Sequence, residues 1–229
     1  MGVDLQAGRD LKALILPGLD GTGLLHGPFA RALEPEIAAT SVAYPSHLCR
    51  YEDLHDWLTP QLPDAPFVVI AESFSGPLAL RIAAELPERV AAVVLVASFD
   101  RPPRRVPPIF AAPVRYLPQW GRAIGWVTFG AWATVARRAA LKGALAQVSK
   151  RSLARRLKST LSLRRENTIV PTPTLYLKAS KDRLVPARHS AAMKSRGAVV
   201  VVVEGPHFLL QANPSDCATA IRDFLRAEP

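Results

Sequence analysis

Residues 67–85 read FVVIAESFSGPLALRIAAE. Phe67, Val68, Val69 and Ile70 form an apolar run rich in β-branched residues, which predicts a buried strand. Leu78, Leu80, Ile82, Ala83 and Leu86 then recur at helical spacing. Pro77 falls in the first turn of that helix, where its missing N–H does no harm. Between strand and helix lie Ala71, Ser73, Ser75 and Gly76. Small residues suit a sharp turn in which strand and helix pass close together. A serine at the tip of such a turn is a candidate nucleophile. The G-x-S-x-G pattern is not met, because Ala71 and Ser75 hold its outer positions. The pentapeptide alone is a weak signal, since any strand–helix turn can carry a serine.

Outward from this turn, strand and helix patterns alternate. Leu11–Leu16, Thr40–Tyr44, Phe67–Ala71, Val90–Ala97, Thr174–Lys178 and Ala198–Val203 read as strands. His26–Leu33, Tyr51–Leu62, Arg188–Arg196 and Ala218–Ala227 read as helices. The fold class is α/β: a mostly parallel central sheet of about six strands with helices on both faces. Ligands of such sheets bind beyond the carboxyl ends of the strands.

The 229 residues suffice for one α/β core, and 49% hydrophobic content excludes a disordered chain. Two cysteines, Cys49 and Cys217, cannot form a disulfide framework. With no apolar core of a signal peptide in MGVDLQAGRDLK, the expected location is cytoplasmic. Gln6 stands where a myristoylation signal needs Ser or Thr. The stretch Ile109–Trp132 is broken by prolines and glycines and carries Arg115 and Arg122, so it is not read as membrane-spanning.

Net charge is +10, and it is unevenly placed. Of 29 Lys and Arg, 15 fall in residues 101–168, where Glu166 is the one acid; elsewhere 14 basic residues face 18 acidic ones. This shift divides the chain into a core, 1–100 and 169–229, and a basic helical cap or lid, 101–168, inserted before the penultimate strand. The insertion opens Pro-rich. It then reads as one or two helices over Thr134–Leu163, with Val135, Leu141, Leu145, Val148, Leu153, Leu157 and Leu161 at helical spacing. Its charge suggests an anionic carrier or an anionic membrane surface as partner; the alternative is a solvated basic face with no partner. Nucleic acid is not expected, for no binding module accompanies the charge.

A nucleophilic serine needs a base and a group that orients the base. Among the five histidines, His207 directly follows the last strand in VVVVVEGPHFLL and is the best-placed base. His26 follows the PGLDGTG loop, at the surface or lining a pocket; His47 and His55 flank the second strand and its helix. His189 is expected at the surface of its helix. Asp182, in TLYLKASKDRLVP, and Asp100, after Val90–Ala97, both end strands and compete as the orienting acid. The chain order Ser…Asp…His favours Asp182. An oxyanion would need two backbone N–H groups, from Phe74 after the serine and from LPGLDGTG, most plausibly Leu19. A glycine-rich loop also suggests phosphate binding, but neither G-x-x-x-x-G-K-[ST] nor G-x-G-x-x-G is present.

LPGLDGTG, AESFSGP, SKDRLVP and GPHFLLQANP, in that order, resemble the oxyanion, nucleophile, acid and histidine loops of the α/β-hydrolase superfamily. PGLDGTG with ESFSGP looks most like small bacterial serine esterases and thioesterases, and like plant esterase/acyltransferase proteins acting on lipid acyl chains. By this resemblance, the two strands that the superfamily places ahead of the oxyanion strand are expected to be absent. The resemblance implies a catalytic Ser73–His207–Asp182 triad, an oxyanion hole of Leu19 and Phe74 N–H groups, and hydrolysis of a small ester or thioester with an apolar acyl group. It implies no metal or organic cofactor. Glu72 and Ser75 are read as turn and supporting residues. Acyl transfer with the same triad, and a non-catalytic binding protein on this scaffold, are the alternatives.

Overall fold

A computed structural model describes residues 11–115, 122–164 and 171–227. The expectations for the first ten residues and for the end of the insertion, 165–168, lie outside this range. Six strands form one parallel sheet: β1 (Lys12–Leu16), β2 (Ala38–Ser41), β3 (Phe67–Glu72), β4 (Val90–Val96), β5 (Thr174–Ala179) and β6 (Val199–Val203), in the order β2-β1-β3-β4-β5-β6. Around it lie α1 (Gly27–Leu33), α2 (Tyr51–Leu58), α3 (Gly76–Glu85), α7 (Arg188–Lys194), α8 (Leu209–Ala212) and α9 (Pro214–Ala227). Between β4 and β5 the insertion supplies α4 (Arg122–Phe129), α5 (Val135–Ala146) and α6 (Lys150–Leu161).

Why β3 is apolar throughout follows from its central position. Val68 and Ile70 join one core with Phe29 and Leu33 of α1 and Ile221 of α9. Phe67, Val69 and Ala71 point the other way, to Leu54 of α2, Leu78 and Ile82 of α3 and Met193 of α7. Both faces are covered, so neither set of alternate positions can be polar.

Strand order also sets where a site can form. The chain runs outward from β1 in one direction to β2 and in the other to β3. Leu16 pairs with Ala71, so the loops leaving β1 and β3 emerge side by side at this switch point.

Three elements depart from the sequence expectation by three residues or more at one end. β2 spans Ala38–Ser41 rather than Thr40–Tyr44, because its register is set by β1, with Lys12 opposite Ala38. Tyr44 leaves the sheet, and its N–H donates to the Gly21 carbonyl at 2.8 Å. α2 stops at Leu58: Pro60 follows, and residues 59–61 tighten into a 3-10 turn. α9 starts at Pro214, which occupies its first turn.

Of the leucine stripe, only Leu153 lies on the buried face of α6. Leu153, Arg156 and Thr160 point inward, while Leu157 and Leu161 are half-buried. In α5, Leu141 and Ala144 are buried and Val135 is exposed. A helix docked on loops that offer carbonyl groups buries its hydrogen-bond donor rather than its most apolar edge.

Candidate active site

Ser73 opens a single 3-10 turn between β3 and α3. Its φ is +48°, a left-handed conformation that costs a non-glycine residue of order 1–2 kcal/mol. The surroundings hold it there. Ser98 Oγ donates to the Ser73 carbonyl at 2.5 Å. Ser98 in turn follows Ala97, a second non-glycine residue with positive φ, +46°. Ser75, in the position where a glycine is usual, contacts the Tyr44 hydroxyl at 2.7 Å and donates to the Pro17 carbonyl. A hydroxyl here ties the elbow to the loop after β1, which a glycine could not do. Gly76 lies against Ser98, and a Cβ there would enter the van der Waals shell of Ser98 Oγ.

His207 comes from the far edge of the sheet. Its loop folds back, pinned to the loop after β5 by the Lys181 N–H to Gly205 carbonyl bond of 2.9 Å. His207 Nε2 lies 2.9 Å from Ser73 Oγ, and Nδ1 lies 3.0 Å from Asp182 Oδ2. Asp182 is fixed by two further donors: the N–H groups of Leu184 and Val185 reach Oδ1 at 2.8 and 2.9 Å. If Ser73 donates, Nε2 must accept, so the proton of the neutral imidazole sits on Nδ1, facing Asp182.

The electrostatics follow from burial and partners. Burial alone would push His207 down, but Asp182 beside Nδ1, with a smaller contribution from Glu72, holds it above the usual histidine value. Burial alone would raise Asp182; His207 and the two backbone N–H groups hold it below the usual carboxylate value.

Asp100 does not join this series. It lies buried beyond β4, with Arg196 at 2.7 Å and Arg101 at 3.6 Å. Against the effect of burial, His189, Arg196 and Arg101 draw it down to about 2. His189, expected at the surface, is fully buried. Its ring sits edge-on to Phe99, with Nε2 3.4 Å from the Pro103 carbonyl. The start of the insertion covers this helix, which helical periodicity within α7 cannot reveal. His26 and His55 are buried as well, and His47 is exposed.

Leu19 lies in the loop leaving β1, and Phe74 follows Ser73. As the second residue of the turn, Phe74 has an N–H without a partner inside that turn. The loop after β1 folds on itself through the Gly21 N–H to Gly18 carbonyl bond of 3.0 Å, with φ of +71° at Gly21 and +68° at Gly23. Arg156 of α6 closes over it, fully buried. Its guanidinium donates to the carbonyls of Asp20 at 2.6 Å, Pro45 at 3.2 Å and Leu48 at 3.3 Å. Phe208 packs edge-on against Phe129 of α4, in an apolar cluster with Leu25 and Leu141. The insertion therefore contacts both the loop after β1 and the loop bearing His207.

The sequence profile described as the alpha/beta hydrolase family matches residues 13–220. The chain belongs to this family. Its fold recurs in solved structures of low sequence identity. The enol-lactonase of Burkholderia xenovorans LB400 is 17% identical, with a TM-score of 0.79 over 98% of this chain and 94% of that one. The esterase EaEST of Exiguobacterium antarcticum is 13% identical, with a TM-score of 0.80 over 96% of this chain and 93% of that one. A hydrolase of Pseudomonas aeruginosa PA01 is 15% identical, with a TM-score of 0.80 over 99% and 92%. No curated protein matches the sequence. Family membership supports hydrolase activity, and these neighbours share the fold. Among the described residues, no helix is long and apolar enough to cross a membrane.

Two features of this hydrolase were not reached from the sequence. Arg156 is one of many arginines in a basic stretch, and nothing local separates it from the exposed ones. Glu72 and His26 pair at 3.0 Å although 46 positions apart. A charged residue inside the apolar run of β3 was the available signal for Glu72, because an acid on a central strand needs a partner.

Proposed function

We propose that this hydrolase cleaves carboxylic esters or thioesters through an acyl-enzyme on Ser73. The observation that carries the reading is the unbroken series Asp182–His207–Ser73, with contacts of 3.0 and 2.9 Å between side chains from three strand ends. In this reading Ser73 Oγ attacks the carbonyl carbon and gives its proton to His207 Nε2. The carbonyl π electrons move to oxygen, and the Leu19 and Phe74 N–H groups receive that oxyanion. Each such donor contributes about 10²–10³ in rate. Collapse expels the alcohol or thiol, which takes the proton from Nε2. Water then repeats the sequence on the acyl-enzyme, releasing the acid and restoring Ser73.

The apolar cluster of Leu25, Phe129, Leu141 and Phe208 beside His207 favours an apolar acyl group. The described part of the insertion is read as its cap, with α6 held to the core by Arg156. A cleft of about 680 Å³ between α2, α3 and α6 is lined by Arg50, Arg81, Arg155, Lys158, Arg164 and Arg196 against Glu52, Asp53 and Asp100, and its lining does not include Ser73 or His207. Arg155 and Lys158 have no ion-pair partner among the described residues. This cationic cleft suits an anionic carrier of the acyl group better than a neutral alcohol.

The test is labelling with a fluorophosphonate probe, together with turnover of p-nitrophenyl esters of increasing chain length and of acyl-CoAs. Wild type is expected to be labelled and active, and Ser73→Ala to be neither. Unlabelled wild type, inert across the series, overturns the reading.

A further inference from the structure

Five of the eight large apolar side chains that stand exposed among the described residues belong to the insertion: Val106, Ile109, Phe110, Trp126 and Val135. Four of them show more than half their surface to solvent: 74% for Ile109, 62% for Phe110, 59% for Trp126 and 76% for Val135. These four sit on three pieces, the 3-10 segment Pro108–Arg115, α4 and α5. Apolar residues exposed singly need no explanation. A concentration of large ones marks a surface that something else covers.

Basic side chains tie the pieces together. Arg104 Nη2 donates to the Arg183 carbonyl at 2.6 Å, and Arg183 Cζ lies 4.0 Å from the centroid of the Trp126 ring. Arg183 Nη1 also donates to the Trp126 carbonyl at 2.8 Å. Gly125, next to Trp126, lies against α5: a Cβ there would stand 3.7 Å from Arg138 Cδ. Arg138 shares an exposed face of α5 with Val135 and Lys142, turned away from the buried Leu141 and Ala144. The Phe110 N–H donates to the Pro107 carbonyl at 3.0 Å, which folds Phe110 back toward Arg104, Arg105 and Val106. A cleft of about 440 Å³ at this point is lined by Arg101, Arg104, Arg105 and Arg188 and by no acid. From Arg101 to Arg164 the sequence contains neither Asp nor Glu.

We propose that this face of the insertion docks on an anionic lipid surface, with Ile109, Phe110, Trp126 and Val135 entering the headgroup region and Arg104, Arg105, Arg138 and Lys142 meeting lipid phosphates. Charge complementarity selects the occupant. A face built from a stretch without acids attracts a negative surface and repels a second copy presenting the same face. The apolar tips select a bilayer over an acidic protein. They project from separate short elements, and the neighbouring cleft takes in none of the four. A bilayer accepts such side chains without a matching shape. Aromatic rings and basic groups with apolar stems are the side chains that rest at its interface. The docking face is joined to the proposed active site by one short helix: α4 carries Trp126 outward, and its Thr128 carbonyl accepts from the Phe208 N–H, beside His207, at 3.3 Å. Docking itself needs no Ser73 chemistry.

The test is cosedimentation with vesicles of mixed phosphatidylglycerol and phosphatidylcholine, against phosphatidylcholine alone. Wild type and Ser73→Ala are both expected to bind the mixed vesicles and not the neutral ones, with binding falling several-fold between about 50 and 300 mM salt. Arg138→Gln/Lys142→Gln should weaken partition by about tenfold or more, since each basic group near an anionic surface contributes about fivefold. Ile109→Ser/Phe110→Ser should weaken it at least as much. All four side chains are exposed, so melting by circular dichroism should change little. The fluorescence difference between wild type and Trp126→Phe should shift to the blue on the mixed vesicles. Folded wild type that binds neither vesicle overturns the proposal. So does equal binding to both, or binding that neither double variant alters. A concentration-dependent dimer in sedimentation velocity, lost in Ile109→Ser/Phe110→Ser and without vesicle binding, overturns it in favour of a second copy. Vesicle binding by a protein that turns over no ester upholds the docking face and overturns only the ester reading.

Discussion

The Arg156 guanidinium, on the insertion, donates to the backbone carbonyl of Asp20, in the loop leaving β1, at 2.6 Å with neither residue exposed. The same group serves Pro45 and Leu48, and its Cζ lies 5.8 Å from the Tyr44 ring centroid. Gly21 leaves the space it fills: a Cβ there would collide with the guanidinium. One side chain thus clamps the loop carrying Leu19 to the insertion.

Replacing Arg156 should cost stability and shape together. Arg156→Met strands several buried carbonyls, at about 2–4 kcal/mol. At ~2–4 °C per kcal/mol for a chain of this size, Tm should fall by about 5–15 °C. Arg156→Lys should recover little, because an ammonium cannot reach carbonyls on both sides of a planar fork. Thermal melts by circular dichroism check this, and a lysine variant with wild-type Tm contradicts it.

The elbow predicts a compensating pair. Gly76→Ala drives a methyl into Ser98 Oγ, so soluble expression and activity should drop steeply. Ser98→Gly in the same chain removes the clashing hydroxymethyl and should recover folding in part, while freeing the Ser73 carbonyl from its 2.5 Å bond. The double variant should therefore melt above Gly76→Ala yet remain slower than wild type.

The two candidate acids separate cleanly by substitution. Asp182→Asn keeps its oxygen on the Leu184 and Val185 N–H groups and turns an NH2 donor toward Nδ1, favouring the wrong tautomer of His207, so kcat is expected to fall by about 10³–10⁴. Asp100→Asn should leave kcat within about threefold but lower stability. Asp100 is drawn from 3.8 to about 2 by His189, Arg196 and Arg101, against burial. A depressed carboxylate stabilises the fold above its unfolded pKa, and that contribution fades as pH falls from about 4 to about 2. It amounts to about 2 kcal/mol. Urea titrations at pH 7 and pH 3 should show the difference between wild type and Asp100→Asn shrinking at the lower pH.

Activity should rise with pH along a limb set by His207. The base works only when neutral, and its pKa is held above the usual histidine value. The apparent pKa of kcat/KM on the acid side is therefore expected above about 6.5. Asp182→Asn should move the limb to lower pH in the residual activity, since the partner that favours the imidazolium is gone. A limb below 6 in wild type would contradict the geometry of this pair.

The cationic cleft predicts a salt effect specific to charged substrates. With acyl-CoA, kcat/KM should fall several-fold between about 50 and 300 mM salt, and p-nitrophenyl esters should show little change. Arg155→Ala/Lys158→Ala should flatten the acyl-CoA dependence and leave the ester unaffected. Equal salt dependence for both substrates contradicts a role for the cleft.

Much of the fold is a property of neighbours along the chain, and so it could be read directly. The unbroken apolar run of β3 demands cover on both faces, and the small residues after it demand a tight turn at Ser73. Parallel strands place their carboxyl ends together, which directed attention to Asp182 and His207 as the loops most able to meet that serine. What pattern could not supply is who meets whom across the chain. Asp100 and Asp182 both end strands, yet Asp100 is engaged by Arg196 and Asp182 lies against His207. Helical spacing pointed to leucines in α6, yet it is Arg156 that turns inward, because the loops beneath it, 136 positions earlier in the case of Asp20, present carbonyls. His189 is buried by a segment outside its helix, and Glu72 finds His26 through space. Periodicity reports which face of an element is covered by apolar neighbours. Hydrogen bonding and charge at a buried face depend on the atoms opposite, and only the folded chain assembles those.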